Sequence, residues 1–399
     1  MKNYILYSTL IGIFTEAVTT NIGFDFKLIY VIVLINYFLI MQVRRITIPR
    51  FWLFTLLYLL ATGLLSIVLY GDTLHNVLFQ VIGLSFMSIY FYNFLLCYDW
   101  NLVWIFEKYC NLCFILSLIG IPIFIVCFII NPQYRLHSLM NEPAHFCAIV
   151  LPAYYYCFSN FKRFKLQFTV ILVAMLLSMS SIGYIFMLLG LVILKRKINL
   201  YITGAMVLVS VIIGVLLYNI SENVRLRADD TSGIISDFTL TRDVNASTLA
   251  LATNSYVTYS AFTSSPIIGR GIGSHPLSFE KYVYQIMGIE SWEGDDLFYL
   301  NADDAASMGL RVLSELGLIG ILGIIYFMVK YYSGHDDSYK ISRGLLLYFL
   351  YKLFREGNYF SPEMYFFVFL YYLLKVQHKY SLNEQQDILP AGNLDPAHG

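Results

Sequence analysis

Charge is what this chain lacks. Only 13% of its 399 residues are Asp, Glu, Lys or Arg, about half the share of a soluble domain. Neither sign is in excess: 26 basic side chains face 26 acidic ones, for a formal net charge of +0. A nucleic-acid binder needs a basic surplus, which is absent. A disordered chain needs low hydrophobicity, whereas 58% of these residues are hydrophobic and 17% aromatic. A soluble enzyme needs a charged shell, and too few charges exist to build one. Also missing are a small-x-small cleavage site after the first apolar run, so no cleavable signal peptide is expected, and any repeat of 20–50 residues or inverted hydropathy symmetry. Cysteine is scarce in pattern as well. Of six cysteines, Cys110 and Cys113 form one C-x-x-C with no second pair, which reads as two buried residues on one helix face. What remains is an all-α polytopic integral membrane protein.

A spanning helix takes about 17–25 mostly apolar residues. Such runs extend over Tyr4–Thr20, Phe26–Val43, Phe51–Tyr70, Val77–Leu96, Asn111–Ile130, Pro143–Phe158, Leu200–Asn219 and Met308–Tyr332. A last pair, Gly344–Arg355 and Glu363–Gln377, is divided by a polar break from Glu356 to Pro362. The run Leu166–Leu194 is too long for one simple helix and short for two. Basic residues favour the cytoplasmic side. Placing Arg44/Arg45/Arg50, Lys162/Arg163/Lys165 and Lys195/Arg196/Lys197 all inside requires two crossings there, turning at 178–183. A turn at that depth implies a protein- or water-lined pocket.

The count is then about twelve transmembrane helices with both termini cytoplasmic. Nine fall in residues 1–220 and three in 308–379. Between them, 221–307 forms one large outer-side loop containing short helices, and 380–399 forms a disordered cytoplasmic tail. The loop carries twelve acidic residues against five basic, a net of −7, opposite to a cytoplasmic loop. The many Tyr and Phe read mainly as lipid-facing packing and interfacial belts, with Trp292 and Tyr299 as candidates to stack on sugar rings.

Chemistry-bearing residues on the outer side are few. Before the sixth helix lie Arg135, His137, Glu142 and His145; the large loop offers Arg270 and His275; the tenth helix opens with Arg311 and Glu315; the last break holds Lys352, Arg355 and Glu356. Charges in or near hydrocarbon cost about 2.5–3.5 kcal/mol each and usually face a cavity or partner. Guanidinium forks bind phosphate oxygens bidentately and stay charged at any relevant pH. An outward-facing membrane enzyme has no ATP, so its substrate must carry its own activation. A sugar on a lipid pyrophosphate satisfies that: Arg135, Arg270, Arg311 and Arg355 bind the substrate, and Glu142 or His275 acts as the catalytic base.

Each residue also has a plainer account. Arg135 can mark an interfacial loop, and Glu142 before Pro143 suits a helix N-terminus. Arg311 and Glu315, four apart, can simply pair, and His275 before Pro276 can be a turn residue. Asp295, Asp296, Asp303 and Asp304 resemble a cation site, but a solvated acidic loop accounts for them, and no metal or cofactor is expected. G-R-G-I-G has no strand–helix context and is not a nucleotide loop.

Five motifs occur in order around the large loop. They are R-x-x-S-x-x-x-E-P (Arg135, Ser138, Glu142, Pro143), the Ser180-Ser181-x-Gly183 turn, SSPIIGRGIGSHP, RVLSELGLIGIL from Arg311, and R-x-G-x-Y-x-S-P from Arg355 to Pro362. At these residues, over about Tyr134–Leu374, the chain resembles the Wzy family of O-antigen and capsular polysaccharide polymerases, relatives of the O-antigen ligases. The resemblance implies a glycosyltransferase of the bacterial inner (plasma) membrane. It would move a growing glycan from undecaprenyl pyrophosphate to the next lipid-linked oligosaccharide repeat, without nucleotide sugar or metal. A chain-length regulator is left open as a partner. The alternatives are an O-antigen ligase and a transporter or flippase of the lipid-linked oligosaccharide. A flippase is expected to place charges deep in several helices, whereas these cluster at helix ends and in one loop.

Overall fold

A computed structural model describes residues 1–21, 25–71, 74–193, 219, 225, 229 and 246–388, leaving aside 287, 293, 296 and 335. The expected span Leu200–Asn219 up to residue 218, the Lys195–Lys197 cluster, most of the first part of the large loop and the end of the tail lie outside the described residues. The architecture is helical. Among the described residues, four helices are long and apolar enough to cross a membrane: α3 (Arg50–Tyr70), α4 (Leu74–Leu96), α5 (Leu102–Ile130) and α11 (Met308–Lys330). They mark a membrane protein. Around them stand α1 (Lys2–Ile13), α2 (Leu28–Val43), α6 (Pro143–Ser159), α7 (Phe161–Leu177), α8 (Ser181–Ile193), α12 (Asp336–Phe354) and α13 (Pro362–Ile388). Two more, α9 (Ala246–Ser264) and α10 (His275–Tyr282), build a small cap.

Two expected runs take a different form, and a third takes the expected one. The first helix stops at Ile13, and its remaining residues lead into an antiparallel hairpin of β1 (Thr19–Asn21) and β2 (Asp25–Lys27), with Thr19 opposite Lys27. The β-branched residues Thr15, Val18, Thr19 and Thr20 favour strand over helix interior there, in keeping with the early stop. The run over 166–194 is divided at Ser178-Met179-Ser180, where Met179 adopts φ 47°. At the other end, α13 continues through Ile388, past the Ser381 at which an unstructured tail was expected.

Helix α6 is central. Most of its residues are buried, and small ones let neighbours approach closely. A Cβ on Gly344 of α12 would meet the Pro152 carbonyl oxygen at 3.0 Å, and one on Gly183 of α8 would meet Cys147 Sγ at 2.6 Å. The aromatic wealth lies inside rather than chiefly toward lipid: the largest fully buried side chains are all Tyr and Phe. Several of the buried tyrosine hydroxyls donate to backbone carbonyls. Tyr371 donates to the Met328 carbonyl at 2.6 Å, Tyr365 to that of Tyr359 at 2.8 Å and Tyr351 to that of Ala144 at 2.8 Å. A buried hydroxyl left without such a partner would cost about 1–3 kcal/mol. Cys110 and Cys113 are buried free thiols in this core.

Polar side chains gather at the bundle's two ends. At one end, Lys2 pairs with Asp99 at 3.2 Å, Arg163 grips Glu107 bidentately at 2.6 and 2.9 Å, and Lys340 donates to Asn160 at 2.7 Å. The opposite end collects the close of α1, the hairpin, the starts of α6, α8 and α13 and the close of α12. The cap sits at this second end with its own apolar core of Leu249, Val257, Phe279, Val283, Ile289, Trp292 and Phe298.

Candidate functional site

All six candidate residues lie at that second end, in two groups. The first is built on a break in α11. Gly317 adopts φ 60°, ψ −152° and interrupts the helix. A broken helix frees backbone donors and acceptors, which must find partners when buried. The loop over 266–271 supplies them. Arg270 N donates to Ser314 O at 3.0 Å and Gly271 N to Glu315 O at 2.7 Å. In return, Leu318 N donates to Pro266 O at 2.9 Å and Ile319 N to Ile267 O at 3.1 Å. Glycine is required where the chains cross: a Cβ on Gly317 would sit 2.6 Å from Gly269 N, and one on Gly269 would sit 2.3 Å from the Glu315 carbonyl carbon. The crossing requires Gly269, whereas Gly271 is required by the close approach of α3 at Thr62 and Ser66.

The crossing fixes three candidates. Arg311 is buried and fully engaged: Nε donates to Glu315 Oε1 at 3.2 Å, Nη1 to the Gly357 carbonyl at 3.1 Å, and the guanidinium lies 4.1 Å from the Tyr359 ring centroid. It braces α11 to the α12–α13 break. His275 is buried with both ring nitrogens occupied, Nδ1 by Ser314 Oγ at 2.9 Å and Nε2 by Asn254 Oδ1 at 3.0 Å. Asn254 Nδ2 donates to the Ala250 and Leu300 carbonyls, so its oxygen faces the histidine and Nε2 carries the proton. Burial, and then the Arg311 charge, push the imidazole down to about 3. A neutral histidine bonded on both sides has no nitrogen free to accept a proton from a bound hydroxyl, which removes it as a base in this arrangement.

Arg270 is different. It is 2% exposed, its Nε and Nη1 find no hydrogen-bond partner among the described residues, and its guanidinium is flanked by Tyr70 at 4.6 Å and Tyr282 at 5.5 Å. It lines a pocket of about 370 Å³ with Leu69, Tyr70, Leu277, Glu280 and Lys281. Ring faces offset part of the cost of a buried cation, but no carboxylate is bonded to it among the described residues.

The second group lies at the N-terminus of α6. Glu142 occupies the N-cap position without bonding the backbone, and Arg355 Nη2 donates to its Oε2 at 3.4 Å, with side chains 50% and 24% exposed. Arg135 lies within electrostatic reach of both. It donates from Nε to the Ser178 carbonyl at 3.3 Å and from Nη2 to that of Met179 at 2.8 Å, closing the C-terminus of α7, where a cation suits the helix dipole. Burial first, and the Arg355 charge among the lesser causes, lower its pKa.

Behind this open group runs a buried chain of charges in which the sequence singled out His145, Lys352 and Glu356 but not Glu16, Lys27 or Glu363. Lys27 Nζ lies 3.5 Å from Glu16 Oε1, and Glu16 Oε2 lies 2.9 Å from His145 Nδ1. On the far side, Glu356 bonds Lys352, Ser361 donates to Glu356 at 2.7 Å, and Glu363 lies 3.6 Å from Lys352. Burial raises the Glu16 carboxyl, but the hydrogen bond and charge of His145 and the charge of Lys27 outweigh it and hold it at about 2. A lone carboxylate inside an apolar run was the available signal for Glu16.

Other candidates are turn or core residues. His137 Nδ1 is 2.6 Å from the Met140 carbonyl, Asp304 caps its own turn through Asn301 and Ala306, and Trp292 is buried in the cap core, whereas Tyr299 is exposed. Asp296 lies outside the described residues. Among the described residues no three His, Cys, Asp or Glu side chains gather to hold a metal ion. No protein-family model matches the chain, and no curated protein matches it.

Proposed function

We propose that the protein is a polysaccharide polymerase of a bacterial inner membrane. It joins lipid-linked oligosaccharide repeats by glycosyl transfer, with the undecaprenyl pyrophosphate carrier as leaving group. The single observation that carries this reading is the open Glu142–Arg355 pair with Arg135 beside it. It sets a carboxylate able to take a proton next to guanidinium groups suited to a diphosphate. In this reading about twelve helices cross the membrane, both termini are cytoplasmic, and the cap faces outward as part of the large loop. Arg355 and Arg135 hold the diphosphate, Glu142 takes the proton of the attacking hydroxyl, and Arg270 adds positive potential from its pocket. Arg311 and His275 hold the loop and the helix break together.

The resemblance of the five motifs to the Wzy polymerases supports the same reading, as does the confinement of the candidate charges to one end of the bundle. The test is the size distribution of surface and lipid-linked glycan in a strain lacking the gene, complemented with wild type or Glu142→Gln. Single repeats in place of a ladder, rescued by wild type alone, are expected. Full-length polymer stranded on its carrier would instead indicate a ligase, and repeats trapped on the inner leaflet a flippase.

A further inference from the structure

The buried chain of charges ends on His145, which stands three residues after Glu142 and so on the same face of α6. Glu16 approaches its Nδ1 with both carboxylate oxygens, at 3.1 and 2.9 Å. Glu16 is in turn held by Lys27 at 3.5 Å. A carboxylate on Nδ1 fixes the ring orientation, places a proton on that nitrogen and favours the imidazolium. Nε2 has no hydrogen-bond partner among the described residues, and the ring is partly exposed. A structural histidine at such a site normally spends both nitrogens, as His275 does. His145 spends one, on a partner brought from a separate part of the chain.

Resting on the polymerase reading, we propose that His145, oriented by Glu16, is the proton donor to the departing diphosphate, opposite Glu142 as proton acceptor. The acceptor hydroxyl oxygen forms its bond to the anomeric carbon as the carbon–oxygen bond to the diphosphate breaks. The electron pair leaves with the diphosphate oxygen. His145 Nε2–H gives its proton to that oxygen, Glu142 takes the hydroxyl proton, and both groups return to their starting states by exchange with water. Glu16 is the positioning residue. The charged and titratable groups around the ring are Glu16 with Lys27 behind it, Glu142 on the same helix, Glu356 with Lys352 behind it, and Tyr351, bonded to the Ala144 carbonyl.

The experiment measures polymerisation rate against pH in purified protein returned to lipid and supplied with lipid-linked repeats. His145→Gln, assayed well below its own melting temperature, is expected to lose about 100-fold or more, the scale of one general acid or base. Glu16→Gln is expected to move the alkaline limb of the profile to lower pH, and Glu16→Asp to restore it. If His145→Gln fails to fold, the Glu16 pair decides. Activity of folded His145→Gln within threefold of wild type, or a Glu16→Gln profile matching wild type, overturns the proposal. Wild-type protein that extends no repeats overturns the polymerase reading itself, a separate result.

Discussion

Replacing Arg311 tests whether it braces the site or binds substrate. In the fold it holds three partners at once: Glu315, the Gly357 carbonyl and the Tyr359 ring. Arg311→Met leaves the fully buried Glu315 carboxylate without its cation. Removing one partner of a buried pair costs about 3–5 kcal/mol, because the remaining charge stays desolvated. Replacing both partners with apolar groups removes that penalty. Arg311→Met with Glu315→Leu should therefore recover most of the loss. About 1–2 kcal/mol should remain for the orphaned Gly357 carbonyl and the lost ring contact. The second substitution then restores about 2–3 kcal/mol to the Arg311→Met protein. Tryptophan-detected melting in detergent should show the single variant several degrees below wild type and the double variant in between. A single variant as stable as wild type, or a double variant below the single, refutes the reasoning. Loss of glycan ladder with full stability in Arg311→Met would return the residue to substrate binding.

His275 gives a pH signature. Its folded value of about 3 lies below the model-peptide value of about 6.5, so in acid the unfolded chain binds the proton first and stability falls with falling pH. The loss begins near pH 6.5 and deepens to about 2 kcal/mol at pH 5. His275→Gln should flatten that limb, and a melting profile of unchanged slope counts against the buried neutral ring. Gly317→Ala places a side chain at φ 60°, ψ −152° and against Gly269 N. It should cost at least about 2 kcal/mol, and a wild-type melting temperature would mean the crossing is loose. Arg135→Ala should lower stability by about 1 kcal/mol through the α7 terminus, while Glu142→Gln, on a half-exposed residue, should abolish the ladder without moving the melting temperature. Normal ladder in Glu142→Gln removes it as the base.

What the sequence made legible follows from where its few charges fall. Class was readable because 13% charge cannot cover so apolar a chain, and the break at 178–180 was readable from the spacing of basic clusters. Hydropathy does not distinguish helix from hairpin over a short apolar stretch, so the end of α1 at Ile13 was hidden, and with it Glu16. It is equally blind to which aromatics face lipid, so the Tyr and Phe were read mainly as lipid-facing although Tyr109, Tyr348 and Tyr365 are among those buried. The glycines of 269–273 were visible as a pattern, but Gly269 is required by Gly317, more than forty residues away, and Gly271 by Thr62 and Ser66. Only the fold brings those positions together.

The buried charges also bear on why this end of the bundle is built as it is. Exchange of a buried ion pair for apolar side chains of similar volume is often neutral or stabilising, so Glu16, Lys27, Lys352, Glu356 and Glu363 are a costly way to pack helix ends. Their arrangement follows the segments that must move least for the reaction proposed at Glu142. Lys27 and Glu16 tie the α1–β1 turn and the start of α2 to His145 on α6, while Lys352, Glu356 and Ser361 lock the close of α12 to the start of α13, next to Arg355. Arg311, through Gly357, fastens that lock to α11 and the loop bearing Arg270. Each open group, Glu142, Arg355 and the free nitrogen of His145, is thus backed by a closed and dry one. A general acid or base must hold its geometry through the transition state, and rigid buried partners supply that. Stability alone would be met more cheaply by leucine.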